Sequence, residues 1–145
     1  MTSQGVPTLE YLGIPYALPP TGERRFLPPS PITPWQDTFY NATGNTNTTD
    51  NTLPDYTCFT EYGAKCSQVV SSGPEAGQIQ GEEDCLYLNI FVPKDREDLL
   101  PVMVFIHGGA FVEGSGQDGT PDSFMDRGVM VVMINYRWAK GLDKS

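Results

Sequence analysis

The sequence predicts an α/β fold: a central, mostly parallel sheet preceded by antiparallel strands and long loops. Three observations carry that expectation. Val102 to Ile106 is an unbroken apolar run, as for a strand covered on both faces. Val129 to Ile134 is a second such run. Between them, Thr120-Pro121 has the form of a helix N-cap followed by proline at the first helical position. The short helix it opens would pass through Phe124 and Met125 and stop near Gly128. Strand, helix and strand within about 35 residues make a βαβ unit, so the two strands are expected to be parallel with a right-handed crossover.

The remaining elements follow in chain order. Glu10 to Ala17 reads as a short strand interrupted by Gly13 and Pro15. Leu18 to Trp35 is dense in proline, which removes amide donors and restrains the preceding residue. It reads as an ordered, extended loop. Asp37 to Thr57 is rich in Asn and Thr and has the composition of an exposed insertion. Cys58 to Gln80 is loop-rich, with turn signals at Gly63, Gly73-Pro74 and Gly77. Leu86 to Val92 is a strand stopped by Pro93, and the charged stretch Lys94 to Pro101 is a turn.

Composition excludes several classes of partner. The 145 residues suffice for one ordinary domain with a real core. Net charge is −9, from 18 acidic and 9 basic side chains, with no run of Lys or Arg. Nucleic acid is therefore not an expected partner, because phosphate neutralisation needs clustered cations. No stretch approaches the roughly 20 apolar residues of a membrane span. Met1 is followed by Thr-Ser-Gln-Gly, so the chain as written carries no signal peptide. Two sequons, at Asn41 and Asn47, and three cysteines point instead toward the secretory route. A truncated or alternative N-terminus would reconcile the two. No cofactor or metal motif is present: Gly114-x-Gly116 lacks the glycine spacing of a dinucleotide fingerprint.

The strand Val102–Ile106 ends abruptly in His107-Gly108-Gly109-Ala110-Phe111. Glycines at the end of a buried strand let the backbone come close to something, and exposed amides there favour negative charge. Four segments then carry a resemblance. "YLGIPYALPPTGERRF", "EDCLYLNIFVP", "PVMVFIHGGAF" and "INYR", in that order, resemble the N-terminal signatures of the type-B carboxylesterase/cholinesterase family. The resemblance runs from about Leu12 to Arg137 and implies a partial α/β-hydrolase fold.

The resemblance also implies roles. Backbone amides of the "HGGG"-type turn would form part of an oxyanion hole, with Gly109 and Ala110 as donors and Gly108 making the turn possible. Ala110 stands where many members have a third glycine; its amide survives the added methyl. Phe111 would line the acyl or substrate pocket, the alternative being a core aromatic. His107 would hold the loop by hydrogen bonding and would not act as the base. Cys66 and Cys85 stand where the family has a disulfide; closing a loop of that size is worth about 3 kcal/mol. Two free thiols are the alternative, and Cys58 is left over. Arg25 and Glu83 resemble a structural ion pair, against the alternative of two solvated charges. Asp84 would brace the same turn.

The catalytic triad is not in this sequence. Ser115, in "EGSGQ", lacks the glycine two residues before it, Ser123 lies in "PDSFM", and His107 is the single histidine. The sequence is therefore read as the N-terminal portion, residues 1–145, of a longer domain. The expected function is hydrolysis of a small-molecule carboxylic ester through a serine acyl-enzyme in the full-length parent, a secreted or cell-surface protein. The chain alone is expected to be inactive. The alternative is a non-catalytic, neuroligin-like adhesion protein with a protein partner, suggested by "PPTGERRF" and "EGSG".

Overall fold

The computed structural model describes residues 1–32, 59–94 and 99–138. Cys58 and the sequons at Asn41 and Asn47 lie outside the described residues. Six strands and one short α-helix are present among the described residues: β1 (Thr8–Pro15), β2 (Gln68–Val69), β3 (Ile79–Gln80), β4 (Tyr87–Pro93), β5 (Val102–Ile106), α1 (Asp122–Met125) and β6 (Met130–Ile134).

The main sheet has the order β1-β4-β6-β5. β5 and β6 pair in parallel, Val102 opposite Met130 through Ile106 opposite Ile134, as the βαβ reading requires. The β1–β4 and β4–β6 pairings are antiparallel, so the sheet is mixed. β1 slips register between Tyr11 and Ile14. Gly13 sits there with φ +70°, and a Cβ on it would lie 2.5 Å from the Glu61 carbonyl oxygen. Its amide donates to the side-chain oxygen of Asn89 at 2.9 Å, so the slip leaves no orphaned donor.

Alternation along β6 puts Val131 and Met133 inward. They join Leu12, Phe91 and Met125 in the larger buried cluster, with Phe91 directly opposite Val131 across the β4–β6 ladder. Burying a side chain of this size contributes about 1.5–3 kcal/mol. A second cluster of Ala17, Cys66, Cys85 and Leu86, with Trp138 against it, seats the proline loop and the cysteine loop on the sheet.

Three expectations are corrected. The helix starts at Asp122, with Pro121 as the cap residue and no side-chain cap bond, so Thr120 does not serve as N-cap. The chain's start ties to the side chains that flank this helix: the Ser3 amide donates to Asp122 at 3.0 Å, and the buried Thr2 hydroxyl bonds Asp126, which follows α1. The stretch after Cys66 is not all loop, because β2 and β3 form a two-stranded ribbon with Gln68 opposite Gln80. Among the described residues β5 is not covered on both faces: only β6 pairs with it, and its five side chains are 38–65% exposed.

An apolar strand at a sheet edge is a template for intermolecular pairing. Placing a charge on it by Val104→Lys is expected to lower aggregation of the 145-residue chain, read by static light scattering against the unsubstituted chain.

Candidate functional site

The parallel ladder ends at Ile106, and the chain then turns sharply. Positive φ falls at Gly109 (109°), Ala110 (52°) and Phe111 (59°). Gly108 is not among the residues with positive φ, and a Cβ on it would meet nothing within 4 Å. A Cβ on Gly109 would lie 1.9 Å from the Glu113 carbonyl oxygen. Gly109, rather than Gly108, is therefore the glycine the turn requires. Ala110 and Phe111 adopt a left-handed backbone that costs a side-chain-bearing residue about 1–2 kcal/mol.

The turn closes through the Gly109 carbonyl, which accepts from the amides of Val112 (2.9 Å) and Glu113 (3.2 Å). Among the described residues nothing accepts from the amides of Gly109, Ala110 or Phe111. Consecutive free N–H groups on left-handed backbone suit an anion. Phe111 is 74% exposed, which rules out a core role among these residues, and its ring meets Tyr136 edge-on at 6.2 Å.

His107 is buried, and its ring is stacked on Tyr136 with centroids 4.3 Å apart and edge-on to Trp138. Nδ1 lies 2.8 Å from the Gly108 carbonyl oxygen, a contact that puts the proton on Nδ1. Tyr136 donates its hydroxyl to the His107 carbonyl at 2.9 Å. The imidazole thus holds the loop, and Nε2 has no partner among the described residues. Ser115 is no nucleophile: it is 1% exposed, and its hydroxyl bonds the Asp118 carboxylate and accepts from the Gln117 amide.

Residues that the sequence reading passed over hold the far side of the turn. The Gly116 amide donates to Asn135 Oδ1 at 2.7 Å, and its carbonyl accepts from Asn89 Nδ2 at 3.0 Å. The Gly114 amide donates to Gln68 Oε1 at 2.8 Å, and Gln68 Nε2 donates back to the Gly114 carbonyl at 3.2 Å. Ser71 gives the Glu113 carboxylate an amide bond of 3.2 Å and a hydroxyl bond of 2.7 Å. Asn89, inside β4, and Asn135, directly after β6, lie inside two of the quoted signatures.

Cys66 and Cys85 are joined by a disulfide, with Cα atoms 4.9 Å apart, which anchors the ribbon beside β4. Arg25 and Glu83 form an ion pair at 2.5 Å; both side chains are about half exposed (52% and 43%), so the pair is worth at most about 1 kcal/mol. The Tyr87 pKa is raised to about 12, by burial first and by the neighbouring Asp84 and Glu82 carboxylates next.

The sequence of residues 1–140 matches the model of the carboxylesterase family. This chain belongs to the carboxylesterase family. A carboxylic ester hydrolase of Bombus ignitus is 45% identical over 133 residues, spanning 89% of this family member and 21% of the bee protein. The neuroligin-like protein glit-1 of Caenorhabditis elegans is 37% identical over 135 residues, spanning 88% and 16%. Among solved structures, a PNB esterase superposes with a TM-score of 0.67 at 35% identity, covering 95% of this carboxylesterase chain and 25% of the other. The chain thus spans about a fifth of the length of the curated relatives it matches.

Two outcomes follow. Gly109→Ala is expected to destabilise the protein by about 2 kcal/mol or more, and Gly108→Ala by less than about 1 kcal/mol, in urea unfolding. A tyrosine with a raised pKa stabilises the fold fully below its unfolded value of 10.0 and loses that contribution as pH climbs toward about 12. Tyr87→Phe is therefore expected to flatten the fall in stability across that alkaline window, measured by urea unfolding at a series of pH values.

Proposed function

We propose that this chain forms the oxyanion-binding part of a carboxylic ester hydrolase whose serine, acid and histidine lie in polypeptide beyond the 145 residues. The single observation that carries the reading is the set of amides at Gly109, Ala110 and Phe111, just past the end of β5, that have no partner among the described residues. Family membership supports the same reading. When a serine hydroxyl adds to an ester carbonyl, the C=O π electrons move onto oxygen, and fixed N–H donors stabilise that anion. Its collapse re-forms the carbonyl and expels the alcohol, which leaves with a proton returned by the histidine. Water then repeats the sequence and frees the acid. Gly109 and Ala110 serve as donors in this scheme, Gly108 leads into the turn, and Phe111 lines the acyl pocket beside them.

The substrate class is a small-molecule ester, and the parent is a secreted or cell-surface protein glycosylated at Asn41 and Asn47. No helix among the described residues is long and apolar enough to cross a membrane. The glit-1 match favours a second reading, an adhesion protein that keeps this scaffold without a competent triad.

Reading the transcript past Ser145 separates the two. A Gly-x-Ser-x-Gly elbow followed by an acid and a histidine supports the enzyme; another residue in place of the serine supports adhesion. The full-length protein is expected to hydrolyse an aryl ester and to lose that activity to a serine-directed phosphonate. The 145-residue chain alone is expected to show no turnover, and phosphonate-sensitive turnover by it would overturn the assignment of the nucleophile to missing sequence.

A further inference from the structure

A turn that offers its front amides to a substrate cannot use them to hold itself. Between Gly109 and Gly114 the internal backbone bonds are the two that converge on the Gly109 carbonyl. The segment is therefore steadied from outside, at Glu113 and Gly114. The two external holds differ in kind. Ser71–Glu113 lies at the exposed surface. Gln68–Gly114 is half-buried and two-pointed: the side-chain amide accepts from the Gly114 N–H and donates to its carbonyl, like one rung of a β-ladder.

Gln68 is itself fixed. Its backbone lies in β2 opposite Gln80, and Nε2 also donates to the Cys66 carbonyl at 3.1 Å, at the foot of the disulfide. The Ser67 amide donates to the Glu82 carbonyl at 3.1 Å, and the Glu82 amide donates to the Lys65 carbonyl at 2.8 Å, so the ribbon is tied on both sides. The mechanical link onward is short. The Glu113 amide donates to the Gly109 carbonyl at 3.2 Å, so drift of Glu113–Gly114 is passed to Gly109 through that bond.

We infer that Gln68 is a positioning residue that sets where the Gly109 and Ala110 amides point during ester cleavage; the inference rests on the esterase reading above. It acts through Gly114 and touches no reacting atom.

The test uses the full-length protein with two substitutions. Gln68→Met keeps length and removes both bonds; Gln68→Glu keeps the acceptor for the Gly114 amide and removes the donor. Gln68→Met is expected to lower kcat and kcat/KM together by roughly 10- to 100-fold, with KM changed little. Affinity for a trifluoromethyl ketone, whose serine adduct carries the same anionic oxygen, is expected to fall by the same factor. Gln68→Glu is expected to lie between. Rates are expressed per phosphonate-titrated site, so unfolded material does not count as slow enzyme. Should Gln68→Met not fold, Gln68→Glu decides, through the parallel loss in kcat and ketone affinity. An inert unsubstituted protein overturns the esterase reading and this inference with it. An active protein whose per-site kcat is unmoved by either substitution, or whose kcat falls while ketone affinity does not, overturns the role of Gln68 alone.

Discussion

Asn135, one residue past β6, makes the connection on which the rest of the structure depends. Its side-chain oxygen takes the Gly116 amide, and its nitrogen donates to the carbonyls of Ala64 and Cys85 at 2.9 and 3.0 Å. One buried amide therefore ties the end of the central strand to the loop after the turn and to both sides of the disulfide-closed segment. Each such bond contributes about 1 kcal/mol net, but an unmade one in this buried place costs about 1–3 kcal/mol. That asymmetry makes the arrangement close to all-or-none: either the three segments meet at Asn135, or several buried polar groups go without partners. Asn89 completes the grip from β4, joining the Gly13 amide to the Gly116 carbonyl.

The turn after β5 is consequently anchored on three sides. The parallel ladder holds it from behind, the asparagines hold its exit, and the ribbon holds its middle through Gln68 and Ser71. The aromatic stack of His107, Tyr136 and Trp138 fills the space beneath. Backbone of unfavourable φ at Ala110 and Phe111 persists only where surrounding structure over-determines it, and these contacts supply that determination. The disulfide contributes at one remove, by keeping the ribbon close to the sheet; it does not touch the turn.

Much of this was legible in the residues. The two apolar runs and the helix between them identified a parallel pair, and their strand limits agree with the structure within one residue. The glycines after Ile106 identified a place where the backbone must be bare. The motif points to Gly108 as the residue that makes the turn possible, whereas the requirement falls on Gly109, because the need arises from the Glu113 carbonyl, which the turn folds back upon itself. Gln68, Asn89 and Asn135 were not legible as determinants. A polar side chain announces its type in sequence, but its partner is a backbone group 19 to 76 residues away.

By itself the sequence determined the parallel pair and the strand before Pro93, and that a glycine turn with a carboxylesterase-family signature follows the first of the pair. These are local matters of periodicity, backbone freedom and spacing, carried by consecutive residues. Only the tertiary structure decided that β6 lies between β4 and β5, that β5 stands uncovered among the described residues, and that Gln68 of the ribbon bonds Gly114. Those outcomes depend on which distant groups satisfy one another's hydrogen bonds, and that is settled when the segments pack and not before.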